Sequence, residues 1–493
     1  MTGDRVARLR DALCRAGYHR AGISTLLGEQ AHDALARGEP VPALRASADG
    51  GELGVLVRLF LLREAEPGPD VAAALSPLDP AAAVACGLLR AENGRLRAAL
   101  DVRPHGDEHG EWWVVSDPEP AWLAEPPKPD HVPGVGQASI SLARATTRRS
   151  VGTLLDLGTG CGVQVLHAAR HAGLITATDP SPRAIALAGT TFALNELDVE
   201  LLAGPWFQPV AGRRFDQVVS NPPFVIGPAR VDHVYRDSGL PGDAGSELIV
   251  RALPDHLADG GTGQVLASWL HPRAGDWADR VACWLPTAGI DAWVIQRDVA
   301  DPALYVGTWL ADSGLDPRSA QGRAAAEAWL DWFDHQDADG VGFGFITVRR
   351  TGAERSTVVC EDLPQPMTDP LGPETIGWLD RVSWLRSQDD AALLDTPLVL
   401  GSDVVLDRTH VPGEGGWTSG PPVLRRRSGP AWRHQTDERG AALLAGCTGT
   451  LRLSELIELL AAGYDEPAGP MVAAVLPAVR ELVRHGLLPA GLA

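Results

Sequence analysis

The run Leu154-Leu155-Asp156-Leu157-Gly158-Thr159-Gly160-Cys161-Gly162 constrains this chain more than any other stretch. A short apolar strand ends in glycines at alternate positions, and Val163–Arg170 then carries apolar residues at helical spacing. Beyond this strand-to-helix turn, strands and helices alternate. Glycines at such a turn let backbone amides approach a ligand at the helix N-terminus. The next strand, Leu174–Thr178, ends in Asp179, an acid placed to grip a ribose diol. A glycine-rich turn alone is common. The turn, the acid and their spacing together point to a nucleoside-containing cofactor.

A second run, Asn221-Pro222-Pro223-Phe224, comes directly after the predicted strand Phe215–Ser220. Consecutive prolines remove backbone donors and fix φ, so the chain cannot continue as a central strand. What remains is a rigid rim with one amide side chain, carbonyl acceptors and an aromatic face. Asn221 Oδ1 and the Pro222 carbonyl can accept both N–H bonds of a planar amino group, while Phe224 covers its plane. By itself the Pro-Pro pair reads as an ordinary strand-ending turn; the glycine loop upstream changes that reading.

Together, DLGTGCG and NPPF resemble the class I S-adenosylmethionine-dependent methyltransferases. More narrowly they resemble the branch that methylates nitrogen in planar groups: ribosomal RNA guanine N2-, adenine N6- and release-factor glutamine N5-methyltransferases. The resemblance covers roughly residues 130–350. It implies an α/β fold with a Rossmann-like methyltransferase sheet, helices on both faces, and S-adenosyl-L-methionine as cofactor. By analogy, Asp156, Gly158 and Gly160 lie along the methionine part of that cofactor, Asp179 binds the ribose hydroxyls, and Asn221 with the Pro222 carbonyl binds the target amine beside Phe224. Gly162 is expected as a packing glycine at the helix start. A hydride-transfer enzyme would leave the NPPF rim unexplained.

Many relatives carry an acid just after the glycine of the run corresponding to Val199–Phe207, where it meets the adenine amino group. Here Pro205 stands there, so adenine is expected to rest on backbone groups and on Trp206 or Phe207. Two bland readings compete for the acids. Asp179 could cap the helix that starts at Ser181-Pro182, and Asp156 could be a strand-end residue satisfying loop amides.

At 493 residues the chain has room for about two to four domains. Residues 1–128 read as an N-terminal helical, winged-helix-like domain, with helices at Val6–Ala16, Gly51–Glu64 and Pro80–Leu89 and a tight turn at Asn93-Gly94 before strands. Glu125–Asp130 is a proline-stiffened linker. Residues 129–351 form the catalytic domain, in which a helix over Ala138–Thr147 is expected to lid the cofactor. After the rim, Arg230, His233, Tyr235 and Arg236 are substrate-contact candidates, and Trp269, His271 and Trp293 line the pocket or the core. Residues 352–493 read as a small, mainly helical or winged-helix-like domain with helices at Leu453–Gly463 and Met471–Gly486 and a Gly/Pro-rich loop at Val411–Pro422.

Charge narrows the acceptor. Lys and Arg number 43 against 63 Asp and Glu, a net charge of −20. Proteins that grip bare duplex nucleic acid carry a basic field instead. The clusters Arg144, Arg148, Arg149 and Arg425–Arg427 with Arg433 read as solvated or internally paired faces. RNA needs one locally basic face; a protein or small-molecule substrate does not. The six cysteines are scattered without metal-ligand spacing, the pattern of reduced cytoplasmic residues, and no metal is expected. No 18-residue apolar run predicts a membrane helix, and the N-terminal segment reads as an amphipathic helix rather than a signal peptide.

The expected function is therefore a cytoplasmic N-methyltransferase acting on a planar amino or carboxamide nitrogen of a macromolecule, either an rRNA or tRNA base or a protein glutamine. An alternative acceptor is a small metabolite or peptide natural product. A different class, a non-catalytic binding or regulatory protein on the same scaffold, is disfavoured by the intact Asn221 and glycine loop.

Overall fold

The computed structural model describes residues 3–120, 127–229, 231 and 234–489, so the first two residues of the expected linker lie outside the described residues. The chain divides into two compact units: residues 1–143, 149–286 and 298–350 in one, and 144–148, 287–297 and 351–493 in the other.

The first unit opens with helices α1 (Gly3–Arg15), α2 (Arg20–Ala36), α3 (Pro40–Ser47) and α4 (Gly51–Leu56), the last continued by a π-turn over Val57–Leu61. Helix α1 buries Val6, Leu9, Ala12 and Leu13, one stripe of an amphipathic helix. Then come β1 (Glu66–Pro67), α5 (Gly68–Leu75), α6 (Pro80–Ala85), β2 (Leu89–Glu92) and β3 (Arg95–Ala98). Asp79 caps α6 with Pro80 in its first turn. Asn93 and Gly94, both at positive φ (50° and 76°), make the tight turn that pairs β2 with β3. A second hairpin joins β4 (Asp101–Asp107) to β5 (Gly110–Ser116).

This N-terminal part is not a separate body from the catalytic region, because the two share a core. Leu9, Leu13, Phe60 and Val114 belong to one buried cluster with Leu166, Ala184 and Leu187. Asn195 locks the junction: its Oδ1 accepts the Trp113 N–H at 2.9 Å and its Nδ2 donates to the Trp113 carbonyl at 2.7 Å.

After helix α7 (Gln137–Ala145) the βα alternation begins: β6 (Val151–Leu157), α8 (Val163–Ala168), β7 (Ala172–Asp179), α9 (Pro182–Leu194), β8 (Glu200–Ala203), β9 (Phe215–Ser220), α10 (Ala244–Ala252) and β10 (Leu257–Pro272). Strands β8, β7, β6, β9 and β10 are parallel neighbours in that order. Leu155 lies between Thr176 and Val218, and the last four residues of β6 are all buried, as a strand covered on both faces requires. Strand β10 starts at Leu257 and breaks its register with β9 before Thr262. Helix α11 is Trp277–Ala282, and β11 (Ile290–Ala300) leads into α12 (Pro302–Asp312), α13 (Ala320–His335) and β12 (Ala338–Arg350), which pairs antiparallel with β10.

In the second unit, residues 291–296 of β11 pair in parallel with β13 (Thr357–Asp362). Helices α14 (Gly372–Arg386) and α15 (Asp390–Leu394) precede an antiparallel sheet of β14 (Val404–Gly413), β15 (Gly416–Arg426) and β16 (Arg433–Gln435). Helices α16 (Glu438–Gly446), α17 (Leu453–Gly463) and α18 (Ala468–Arg484) close the chain around Leu398, Leu424, Ile457 and Val483. The segment Val411–Pro422, expected as a loop, is instead hairpin. Pro412 lies on β14, Pro421 and Pro422 precede the Val423–Arg425 stretch of β15 that β16 pairs, and a register shift between Arg408 and His410 falls opposite Pro421.

Candidate active site

Strands β6, β7, β8 and β9 all run the same way, so Leu157, Asp179, Ala203 and Ser220 end on one edge of the sheet. The chain order reverses at β6, which has β7 on one side and β9 on the other; a crevice forms outside such a point. The loops after these strands enclose a cavity of about 320 Å³.

The glycine loop forms one wall. Gly158 and Gly160 have φ of +77° and +56°, and a Cβ on either would meet nothing within 4 Å. Both line the cavity, so a side chain there would be strained and would fill space a ligand needs. Gly162 differs. At φ +91°, its Cβ would stand 2.5 Å from the Phe192 ring, which is the packing role expected of it.

Asp179 reaches back to this loop: its Oδ2 accepts the Gly160 N–H at 3.0 Å and its Oδ1 accepts the Ser181 N–H at 2.8 Å. The cap of α9 is Ser181, whose Oγ accepts the Ala184 N–H at 3.3 Å, so capping does not account for Asp179. A carboxylate has about four acceptor positions, and two remain for hydroxyl donors in the cavity it lines. Burial raises its pKa.

Asp156 sits behind the loop rather than on the cavity wall. Its Oδ2 accepts the Thr159 hydroxyl at 2.7 Å, while the buried Oδ1 has no hydrogen-bond partner among the described residues. Burial pushes its carboxyl up to about 7, although the Thr159 bond favours the ionised form.

The rim of Asn221, Pro222 and Pro223 forms the facing wall. Asn221 Nδ2 donates to Ser139 Oγ of α7 at 3.3 Å, leaving Oδ1 buried without a hydrogen-bond partner among the described residues. A buried amide oxygen left unmatched costs about 1–3 kcal/mol, so an N–H donor arriving there gains strongly. Phe224 turns away: its ring packs edge-on to Trp309 at 6.4 Å and its carbonyl accepts the Ser268 hydroxyl.

Beyond β8, Gly204 donates its N–H to the Asp179 carbonyl at 3.0 Å, and Pro205 and Trp206 line the cavity. Phe207 is withdrawn onto His256, stacked at 4.2 Å and 7°. Of the two aromatics expected to meet adenine, Trp206 is the one that lines the cavity.

Of the substrate-contact candidates, Arg230 and His233 lie outside the described residues. Tyr235 lines the cavity and donates its hydroxyl to Asp312 Oδ2 at 3.1 Å. Arg236 does not reach the wall; it is buried, donating to Asp312 Oδ2 at 2.9 Å and to the Trp309 carbonyl at 3.3 Å. It serves to fasten the segment after the rim, together with Tyr305, whose hydroxyl accepts the Ile226 N–H at 2.5 Å. Trp269, stacked on Trp277, and Trp293 are core residues.

The structure adds residues that the sequence did not single out: Val132 and Pro133 before α7, Ser139 on it, and Asp237 and Ser238 beyond the rim. Gln164 holds Ser139 in place by donating to its carbonyl at 2.9 Å. Among the described residues the wall carries the carboxylates Asp179 and Asp237 and no Lys or Arg. That balance suits a cationic ligand with a diol. S-adenosylmethionine carries a sulfonium, an ammonium and a ribose, and the open glycine cradle, Asp179 and the unmatched Asn221 oxygen fit it and an N–H-bearing acceptor.

A family model described as "Methyltransferase small domain" matches residues 134–237. Domains of unknown function match residues 15–99 (DUF7059) and 376–490 (DUF7782). The chain is 31% identical over 217 residues to the release factor glutamine methyltransferase of Koribacter versatilis, covering 38% of this chain and 74% of that protein. It is 37% identical over 123 residues to the ribosomal RNA small subunit methyltransferase C of Pasteurella multocida, 24% of this chain but only 34% of the relative. Among solved structures, the T. thermophilus 16S rRNA N2 methyltransferase in complex with AdoMet and guanosine aligns at TM-score 0.26 and 19% identity, over 36% of this chain and 48% of that one.

Proposed function

The chain belongs to the S-adenosylmethionine-dependent N-methyltransferases, and from that premise we propose that it methylates a planar amino or carboxamide nitrogen of a macromolecule at the rim Asn221–Pro223. One observation carries the reading: Asn221 Oδ1 is buried at the cavity without a hydrogen-bond partner among the described residues, an acceptor waiting for an N–H.

When bound, S-adenosylmethionine supplies a methyl group activated on sulfur. The residues of this chain supply position and polarity. Gly158 and Gly160 leave room for the cofactor, and Asp179 offers acceptors to its ribose. Asn221 Oδ1 accepts one N–H of the target nitrogen, and the Pro222 carbonyl accepts the other. Two acceptors on those N–H bonds draw the lone pair out of conjugation and stabilise the positive charge that develops on nitrogen. The rigid prolines hold that geometry, and most of the rate gain is alignment. No side-chain base is needed, since the methylated ammonium is acidic enough to give its proton to water.

Within this reading the net charge of −20 favours a protein carboxamide over an RNA base. The helices and small sheet of residues 3–98 support a winged-helix-like module that shapes the acceptor side rather than one that reads nucleic acid. Six free cysteines, and no helix among the described residues long and apolar enough to cross a membrane, favour a cytoplasmic enzyme.

The test is methyl transfer from labelled S-adenosylmethionine to separated pools of undermethylated RNA, cell protein and small molecules. Label in the protein pool, released as N-methylglutamine on proteolysis, supports the reading; label in RNA alone shifts the acceptor to a base. Label in no pool, with the cofactor bound, contradicts it.

A further inference from the structure

We propose that the C-terminal unit carries a divalent transition-metal site formed by His434, Glu481 and His485. Nothing in the methyl-transfer site uses these residues. One ligand atom from each lies within 4.8 Å of the others. Glu481 and His485 are one helical turn apart at the end of α18, so their side chains share a face, and His434 reaches them from β16.

The arrangement around His485 is that of a metal ligand with an outer support. Its Nε2 stands 2.7 Å from Glu361 Oε1. That carboxylate is itself fixed by the indole N–H groups of Trp293 at 2.5 Å and Trp432 at 3.2 Å. A carboxylate beside one ring nitrogen is the outer partner that metal-binding imidazoles use, which leaves Nδ1 as the ligand atom. The Nδ1 atom points at His434 Nε2, 2.9 Å away. Trp432 lies flat on the imidazole, 4.4 Å between centroids and 5° from parallel, which holds the ring in that orientation.

The chemistry of the set selects the class of ion. Two imidazoles and one carboxylate are borderline ligands, suited to zinc and its neighbours rather than to calcium or magnesium. Glu481 Oε1 stands 3.7 Å from His434 Nδ1, the ring nitrogen that does not face His485; about half exposed, its carboxylate has room to swing round onto the ion, and together with Glu361 it balances a 2+ charge. Ligand nitrogens on a tetrahedral ion stand about 3.3 Å apart, so the two rings part by only a few tenths of an ångström. Three protein ligands leave a fourth position for water. Such an ion ties β16 to the end of α18 and stabilises the unit by mass action.

The experiment uses the full-length chain without an affinity tag, stripped with a chelator and titrated with Co²⁺ and then Zn²⁺. Visible absorption reports the cobalt environment and calorimetry the zinc stoichiometry. The proposal predicts one equivalent bound, a rise in the thermal midpoint, and binding weakened about tenfold or more in both His434→Gln and Glu481→Gln. No saturable binding, or binding unchanged in the variants, would overturn it and leave the two histidines as a plain hydrogen-bonded pair. Should His434→Gln fail to fold by circular dichroism, the half-exposed Glu481→Gln decides alone.

Discussion

Asn221 Nδ2 donates to Ser139 Oγ at 3.3 Å, and that contact engages the nitrogen end of the amide while Oδ1 stays buried without a hydrogen-bond partner among the described residues. The oxygen is therefore the end left for an N–H donor. Ser139 is thus a positioning residue. Ser139→Ala is expected to lower kcat about three- to tenfold through loss of one hydrogen bond of roughly 1 kcal/mol, leaving the KM for cofactor within twofold. Steady-state kinetics at saturating cofactor measure the split; equal loss in both parameters would point to general damage instead.

Asp179 is expected to govern cofactor affinity. Its carboxylate both organises the loop through the Gly160 N–H and faces the cavity. Asp179→Ala removes a charged acceptor worth about 1.5–3 kcal/mol, a loss of about ten- to a hundredfold in affinity for S-adenosylmethionine by calorimetry. Affinity unchanged in the variant would remove Asp179 from the binding site.

Asp156 gives a pH signature in the ligand-free protein. Its carboxyl sits at about 7 in the folded chain, against about 3.9 when unfolded. Because the folded pKa is the higher, the folded state holds more protons between these values. The contribution of Asp156 to stability is full below about pH 4, falls as pH rises through that window, and levels above about 7. Asp179, also raised by burial, acts in the same direction. Asp156→Asn keeps an oxygen for Thr159 and is expected to flatten the decline by on the order of 1–3 kcal/mol, read from urea unfolding at pH 5 and pH 8. Curves for the two proteins that stay parallel across that range would refute it.

Gly162 is a structural position within a functional loop. Its Cβ would stand 2.5 Å from Phe192 at a φ of +91°, so Gly162→Ala combines overpacking with backbone strain. The expected cost is about 2–4 kcal/mol in denaturant unfolding, partly recovered in the double variant with Phe192→Leu; a neutral substitution would show that the contact relaxes freely.

The glycine loop and the rim were legible because both are local. Strand, turn and helix succeed one another within residues 154–168, and the prolines at 222 and 223 announce their own break. Their partners were not legible. Ser139 meets Asn221 across 82 positions of sequence, and nothing in its neighbours marks it. Phe224 was expected over the acceptor plane, yet α12 offers it Trp309, and burial against an indole wins over an open cavity. Packing across the boundary expected at residue 128 was not legible either: α1 and β5 pack onto α9, with Leu9, Val114 and Leu187 in one buried cluster. The hairpin β14–β15 was hidden by its own glycines and prolines, which a strand tolerates where a neighbour is missing. His434 and His485 lie 51 positions apart and meet only in the folded unit.

If the Asn221 oxygen receives the nitrogen to be methylated, removing that oxygen must stop the chemistry while sparing the cofactor. Asn221→Ala does this, with binding and turnover measured on the same preparation. The expected result is S-adenosylmethionine affinity within about threefold of the parent by calorimetry and methyl transfer reduced by about a hundredfold or more. Transfer at the parental rate, with the variant folded and the cofactor bound, would contradict that role for Asn221.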